Sequence, residues 1–497
     1  MTQEIAADPA LGRLAEAILI PPFPGSEEPE WVRTALGGGL AGVTLFGPNV
    51  RDRQQLARLT ARLRSATIEP VIAIDEEGGD VTRISHQTGS DYPGNAALGA
   101  IDDVDLTRSV YAALGADLAA LGINLDLAPA VDVNTAAENP VIGTRSFGDD
   151  PSLVARHAAA AVAGLQSAGV AACAKHFPGH GSTTLDSHLV LATVDAPLSV
   201  LRDRDLPPFE AAIAAGVRAI MPSHLRVPEL TGDLPASLSR QAQTDLLRGE
   251  LGFTGVIVSD GLEMRAVSEP YGIPEAAVQA VTAGTDLLCL GRDQDHLSFL
   301  AVRAALVEAV RSGRLPGDRL EEAAARVAEL REWTGAAAAE RSAAGDDAVT
   351  LGLAAARRAV TVRGALPALR KPLIVQFVPP SNLAVGAVPW GLRSYATAGS
   401  YRQVSTATAD EDVPYLVSGL LAAADDRSLI IVVRDAHRHP VARQAVQLML
   451  AGRPDAVVVE MGLPVWQPAN VSYVASYGAG RSNAQATAEI LGLVAAH

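Results

Sequence analysis

At 497 residues the chain is too long for one hydrophobic core, so two or more domains are expected, and a composition 48% hydrophobic and 19% charged is that of ordered globular protein. The formal net charge of −16 argues against nucleic acid or an anionic membrane as partner, because both need a basic surface. A small-molecule partner remains, of a kind that charge does not specify.

The opening stretch, MTQEIAADPALGRLAEAILIPPF, is acidic and lacks the basic start and apolar core of a secretory signal, and no later run is apolar for long enough to span a bilayer. A cytoplasmic protein is the expectation. Eight short apolar runs then follow in order: AILIPPF, AGVTLFG, PVIAIDEEGG, INLDLAPAVD, VAACAKHFPG, VRAIMPSH, GVIVSDG and TDLLCLG. Between them lie segments with apolar residues at three and four spacing that open on Asp52, Asp105 and Asp150 as helix N-caps, two of them closing on Gly. Strands alternating with crossover helices predict an α/β fold, a (β/α)₈ TIM-like barrel over residues 1–334, with a doubly wound sheet as the competing arrangement. Cys173 and Cys289 sit inside apolar runs and are read as reduced core thiols.

The Ala-, Glu- and Gly-rich stretch at 335–350 is read as a linker or connecting helix. From 351 to 497 a second alternation begins, with strands at PLIVQFV, SLIIVVRDA, DAVVVEMG and VSYVASYG and helices at PVARQAVQLMLAG and SNAQATAEILGLVAA, which predicts a smaller three-layer α/β sandwich. Its GAGRSNAQ segment is no full dinucleotide fingerprint and is read as a Gly-rich turn into the last helix.

Polar residues at the C-terminal ends of barrel strands point into a shared mouth. Here the apolar runs lead into Asp75-Glu76, Asp126 and Asp132, Lys175-His176, Ser223-His224 and Ser259-Asp260, a distribution that packing alone does not explain. In VIVSDGLEM, Asp260 ends an apolar strand, where a carboxylate held rigidly suits attack on an anomeric carbon; capping the next helix is the competing role. An acid must also protonate the leaving oxygen. No Glu occurs between Glu138 and Glu210, a span that holds the unusual run KHFPGHGSTTLDSH, residues 175–188. His188 is the substitute, with Asp186 placed to bond one ring nitrogen and fix the tautomer. Gly179, Gly181 and Ser182 to Thr184 are read as the swivel of a lid. Two other readings compete for this run: a zinc site built from His176, His180, Asp186 and His188, and a solvated structural turn.

KHFPGHGSTTLDSH resembles the signature of the bacterial β-N-acetylglucosaminidases of glycoside hydrolase family 3, matching at every specified position. IDEEGGDVTR (74–83), NLDLAPAVDVNTAAENPVIGTRSFGDDP (124–151) and VIVSDGLEM are similar to the same family and occur in its order. The resemblance implies a retaining exo-enzyme with Asp260 as nucleophile, His188 as acid/base and Asp186 as its dyad partner. It further implies that Asp75, Arg83, Arg145, Lys175 and His176 hold the amino sugar. Cell-wall fragments from peptidoglycan turnover would be the substrates, no metal or organic cofactor would be needed, and the chain would be a monomer or homodimer. Asp80, Gly261 and Ala192 depart from the family pattern without removing a catalytic group. A phosphorylase using inorganic phosphate, a substrate-assisted hydrolase in which Asp75-Glu76 supports the acetamido group, and a sugar-binding sensor without turnover are the alternatives.

Overall fold

The computed structural model describes residues 9–339 and 348–494. Local rules set many helix starts. Asp52 accepts the Gln55 N–H at 2.7 Å to cap helix Arg53–Ala66, and Asp150 accepts that of Leu153 at 2.7 Å to cap Pro151–Ser167. The third expected cap is displaced by two residues. Helix Val104–Ala120 already contains Asp105, and Asp103 accepts the Leu106 N–H at 3.0 Å, because the capping bond must reach an N–H three residues ahead. Gly122 and Gly169, which follow two of these helices, take φ of +77° and +75°, the left-handed turn that ends a helix most easily at glycine.

The described residues fall into two compact units. Of these residues, 9–76, 107–141 and 149–339 form the first. Among its described residues eight parallel strands build the main sheet, one in each of the eight apolar runs: β1 Leu19–Ile20, β2 Gly42–Leu45, β3 Val71–Ile74, β4 Leu125–Asp126, β5 Ala171–Phe177, β6 Ala219–Pro222, β7 Val256–Ile257 and β8 Leu288–Cys289, beside a separate two-residue parallel pair of Ala192–Thr193 with Leu225–Arg226. Strands β2 to β7 pair in chain order and β1 pairs with β8. The bridge between Val258 and Leu287 and the bond from Thr44 N–H to Pro21 O (3.3 Å) link the two sets, so the sheet is a closed (β/α)₈ barrel and not a doubly wound sheet. Alternate positions, including Val71 and Ala73, Leu125 and Leu127, Ala171 and Cys173, and Val256 and Val258, gather in one buried cluster, as a period of two requires. Cys173 and Cys289 both belong to it, unpaired, and burial pushes both thiols up from their ordinary range.

Of the described residues, 77–106, 142–148 and 348–494 form the second unit, so two excursions from the N-terminal half belong to it. Among its described residues a six-stranded sheet runs in the order β9-β14-β13-β12-β10-β11, with β9 Thr361–Arg363, β10 Leu373–Val378, β11 Tyr401–Ser405, β12 Leu429–Val433, β13 Val457–Glu460 and β14 Ser472–Ala475. All neighbours are parallel except β9 with β14. Buried clusters lie on both faces, one around Val375, Phe377 and Ile431, the other around Ile374, Ile430 and Val457, which makes this unit a three-layer sandwich. Strands β9 and β11 were not anticipated from sequence.

Of the stretch at 335–350, residues 335–339 end the helix Gly317–Ala339 and 348–350 begin the helix Ala348–Ala359; 340–347 lie outside the described residues. Among the described residues, no helix is long and apolar enough to cross a membrane.

Candidate active site

In the first unit the polar groups at the carboxyl ends of the strands form a connected set. Lys175, 2% exposed on β5, places its ammonium 2.7 Å from Asp75 Oδ1 just beyond β3. Asp132 is fully buried and accepts from His180 N at 2.7 Å, His176 N at 3.2 Å and His176 Nδ1 at 2.8 Å. Burial alone would raise its carboxyl, but the His176 ring and these bonds outweigh burial and hold it below the ordinary carboxylate range. His176 is thereby oriented through a carboxylate that the sequence had placed at a strand end without naming its partner.

Asp186 Oδ1 accepts both the backbone N–H of His188 (2.9 Å) and its ring Nδ1 (2.8 Å). A carboxylate only accepts, so Nδ1 carries the proton and Nε2 is left as the working nitrogen. Burial would raise the Asp186 carboxyl, yet its bonds to His188 leave it lowered.

Asp260 lies three residues past the end of β7, with Oδ1 accepting the Gly261 N–H at 2.7 Å. Burial opposes its charge, and the imidazoles of His224, His176 and His188 together with that N–H overcome burial, so its pKa falls below the usual value. Three rings borne on β5, on the loop after it and on the segment after β6 thus act on one carboxylate. The arrangement supplies an ionised nucleophile and a ring nitrogen able to give and take a proton.

His224 carries a role the sequence left blank. It is fully buried, with Nε2 3.0 Å from Gly261 O and Nδ1 2.6 Å from Ser237 Oγ. A carbonyl accepts only, so Nε2 donates to it, and burial lowers the ring's pKa against the opposing charge of Asp260. His224 therefore braces the peptide whose N–H meets Asp260. Glu263 is also nearby: burial pushes its carboxyl up to about 7 against the Arg292 N–H bond (2.8 Å). The sequence marks His224 only as a strand-end residue and Glu263 not at all, since their partners are remote in the chain.

The loop at 175–188 differs from a lid swivelling on its glycines. A Cβ on Gly181 would stand 1.8 Å from Val133 O, and one on Gly179, whose φ is +134°, would stand 2.6 Å from Asp205 Cβ. Both glycines are close-approach positions in a packed base. His180, 1% exposed, bonds Ser187 Oγ through Nε2 at 2.8 Å and Thr183 Oγ1 through Nδ1 at 3.0 Å, which engages both its nitrogens within the loop rather than with an ion. Among the described residues no group of three or more His, Cys, Asp or Glu is arranged to hold a metal. The tip is open, with Leu185, Leu189 and Val190 exposed.

Asp75, Lys175, His176, Asp186, His188 and Asp260 all lie in the first unit, whereas Arg83 and Arg145 lie in the second. There Arg83 Nη2 donates to Ala384 O at 2.9 Å, and Arg145 forks onto Glu77 with bonds of 2.9 and 2.7 Å. The Arg145–Glu77 pair is buried and spans 68 positions of sequence.

A solved β-N-acetylglucosaminidase of glycoside hydrolase family 3 from Paenibacillus sp. str. FPU-7 is 32% identical, with a TM-score of 0.86 over 98% of this chain and 97% of that one. Beta-hexosaminidase A of Pseudoalteromonas piscicida is 36% identical over 318 residues, 59% of this chain but 53% of that protein, so the chain spans about half the length of that relative. The beta-hexosaminidase of Stenotrophomonas maltophilia (strain K279a) is 38% identical over 270 residues, 53% of this chain and 78% of that protein. The model of the glycosyl hydrolase family 3 N-terminal domain matches residues 19–330, the span from β1 to beyond β8, and with the barrel and its strand-end carboxylates it shows that the chain belongs to glycosyl hydrolase family 3.

Proposed function

We propose that the protein is a retaining exo-β-N-acetylglucosaminidase that removes terminal N-acetylglucosamine from β-linked glycans, cell-wall fragments among them. The observation that carries this reading is the Asp186–His188 dyad, whose imidazole acts on the Asp260 carboxylate beyond β7. The names of the relatives support the amino sugar. Asp260 attacks C1 while His188 Nε2–H protonates the departing glycosidic oxygen. The resulting glycosyl ester is cleaved by water, whose proton His188 Nε2 takes up, regenerating the starting state. Asp186 keeps the proton on Nδ1 throughout and stabilises the imidazolium that exists before the first step and is re-formed in the second. Asp75 and Lys175, already paired, accept from and donate to sugar hydroxyls, and His176 is presented beside them by Asp132.

The test is a panel of nitrophenyl glycosides with and without inorganic phosphate, followed by labelling with a fluorinated N-acetylglucosaminide analogue and mass spectrometry of the peptides. Release of free N-acetylglucosamine and a label on Asp260 are expected. A label elsewhere, or hydrolysis of glucosides only, sinks the assignment; phosphate-dependent formation of sugar 1-phosphate would make the enzyme a phosphorylase.

A further inference from the structure

The second unit carries a binding cavity of its own. Counted in chain order, its parallel strands β10 to β14 lie in the sheet as 2-1-3-4-5, so the order reverses between β10 and β12. The chain leaves β10 toward one edge and β12 toward the other, and in open parallel sheets the crevice at the carboxyl ends of two such strands is where ligands bind. A cavity of about 560 Å³ occupies that position, lined by Val378 at the end of β10 and Pro379 after it, and by Arg434 and Asp435 past β12. Its size suits a small organic molecule.

The lining is cationic although the chain carries a net charge of −16: Arg393, Arg434, Arg438 and Arg481 contribute to it, against the single carboxylate of Asp435 among the lining residues. That carboxylate already accepts the Leu463 N–H at 2.9 Å. Arg434 is fixed, 3.0 Å from Asp80 and stacked 5.7 Å from the Trp390 ring centroid, and Arg481 pairs with Asp91. Arg393 lies 5.8 Å over Tyr401, and among the described residues neither it nor Arg438 has a carboxylate partner. Trp390 and Tyr401 supply ring faces, and Trp390 is set by Gln376, 2% exposed, which donates to its carbonyl at 3.2 Å. Helices Pro440–Gly452 and Arg481–Ile490 both start at the wall, through His439 and Arg481, and add the positive ends of their backbone dipoles to the guanidinium groups.

Two guanidinium groups without carboxylate partners, beside aromatic faces in a half-open crevice, match one chemistry. We propose that this cavity binds a small phosphate ester carrying a ring, a sugar phosphate or a nucleoside monophosphate, with the phosphate on Arg393 and Arg438 and the ring against Trp390. The site is separate from the glycosidase reading and does not rest on it.

Calorimetric titration of the full chain with glucose 6-phosphate, adenosine monophosphate and inorganic phosphate tests this, with glucose and adenosine as uncharged controls. One site per chain is expected for at least one ester, tighter than for inorganic phosphate and weakened by salt. Arg438→Gln and Arg393→Gln should each reduce affinity by roughly tenfold or more, as loss of a charge-assisted bond does. Trp390→Leu should weaken the ester while leaving inorganic phosphate unchanged. Binding should persist in Asp260→Asn, so failure of the proposed catalytic reading and failure of this one are distinguishable. Thermal melting confirms that each variant folds, and the Arg393 change, at an exposed position, keeps the test open if another variant does not. Absence of ester binding at millimolar concentration, or binding indifferent to both arginine changes, overturns the proposal.

Discussion

The two ends of the barrel treat buried charge in opposite ways. At the amino end, Asp286 just before β8 is fully buried and saturated: Arg248, Arg319 and Arg326 converge on it, and the Ile257 N–H donates at 2.9 Å. Asn124, before β4, is similarly engaged by the Ile72 N–H (2.7 Å) and Pro70 O (2.9 Å). At the carboxyl end, Asp260 accepts one hydrogen bond, and Asp126 Oδ2 and Glu263 Oε2 are buried with no hydrogen-bond partner among the described residues. Burial pushes Asp126 well above the ordinary carboxylate range against the bond from Glu76 N–H. Saturated charges hold the strands together, whereas the unsaturated ones keep bonding capacity for something not in the chain.

Substitutions at the two ends should separate these roles. The largest effect belongs to Asp260→Asn: turnover of an aryl N-acetylglucosaminide should fall by about 10⁵-fold, as when a nucleophile is removed, with an unchanged melting temperature. Loss of stability with turnover intact would reverse the assignment of the two ends. Asp286→Ala should do the converse, lowering the unfolding free energy in urea by about 3–5 kcal/mol because three guanidinium groups lose their anion, while kcat of the folded fraction stays near normal.

Glu263→Gln gives a smaller effect that depends on pH. The carboxyl titrates at about 7 when folded against 4.5 in the unfolded chain, so its contribution to stability is complete below 4.5 and is lost as pH rises through 7. Denaturant unfolding should show the variant gaining on the native protein across that window by roughly 3 kcal/mol, at 1.36 kcal/mol per unit. A constant difference would mean that Glu263 is not a strained acid. The smallest effect is Asp150→Ala on the barrel's outer helix, about 1 kcal/mol in the same measurement, the cost of one lost cap and neutral for catalysis.

What could be read from the sequence follows the range of the interactions involved. The eight barrel strands were visible because each lies in an apolar run, and the Asp186–His188 pair because its members are two positions apart. Strands β9 and β11 were not visible, since Thr361–Arg363 is exposed throughout and Tyr401–Ser405 buries only Val404, so edge positions leave no apolar pattern. His224 bonds a carbonyl 37 residues away and Arg145 a carboxylate 68 residues away; only the folded chain makes such partners neighbours. The glycines of the loop misled for a related reason, because a glycine required for close backbone approach is indistinguishable in sequence from one that permits movement.

One oxygen of Asp186 holds both the main chain and the ring of His188, so the pair is self-contained within three consecutive residues. An insertion or deletion elsewhere in the loop would shift where the imidazole stands without changing which of its nitrogens is free. Reach and reactivity are therefore separable variables in this molecule, and the segment from 186 to 188 can be treated as a cassette whose position is tuned by loop length alone.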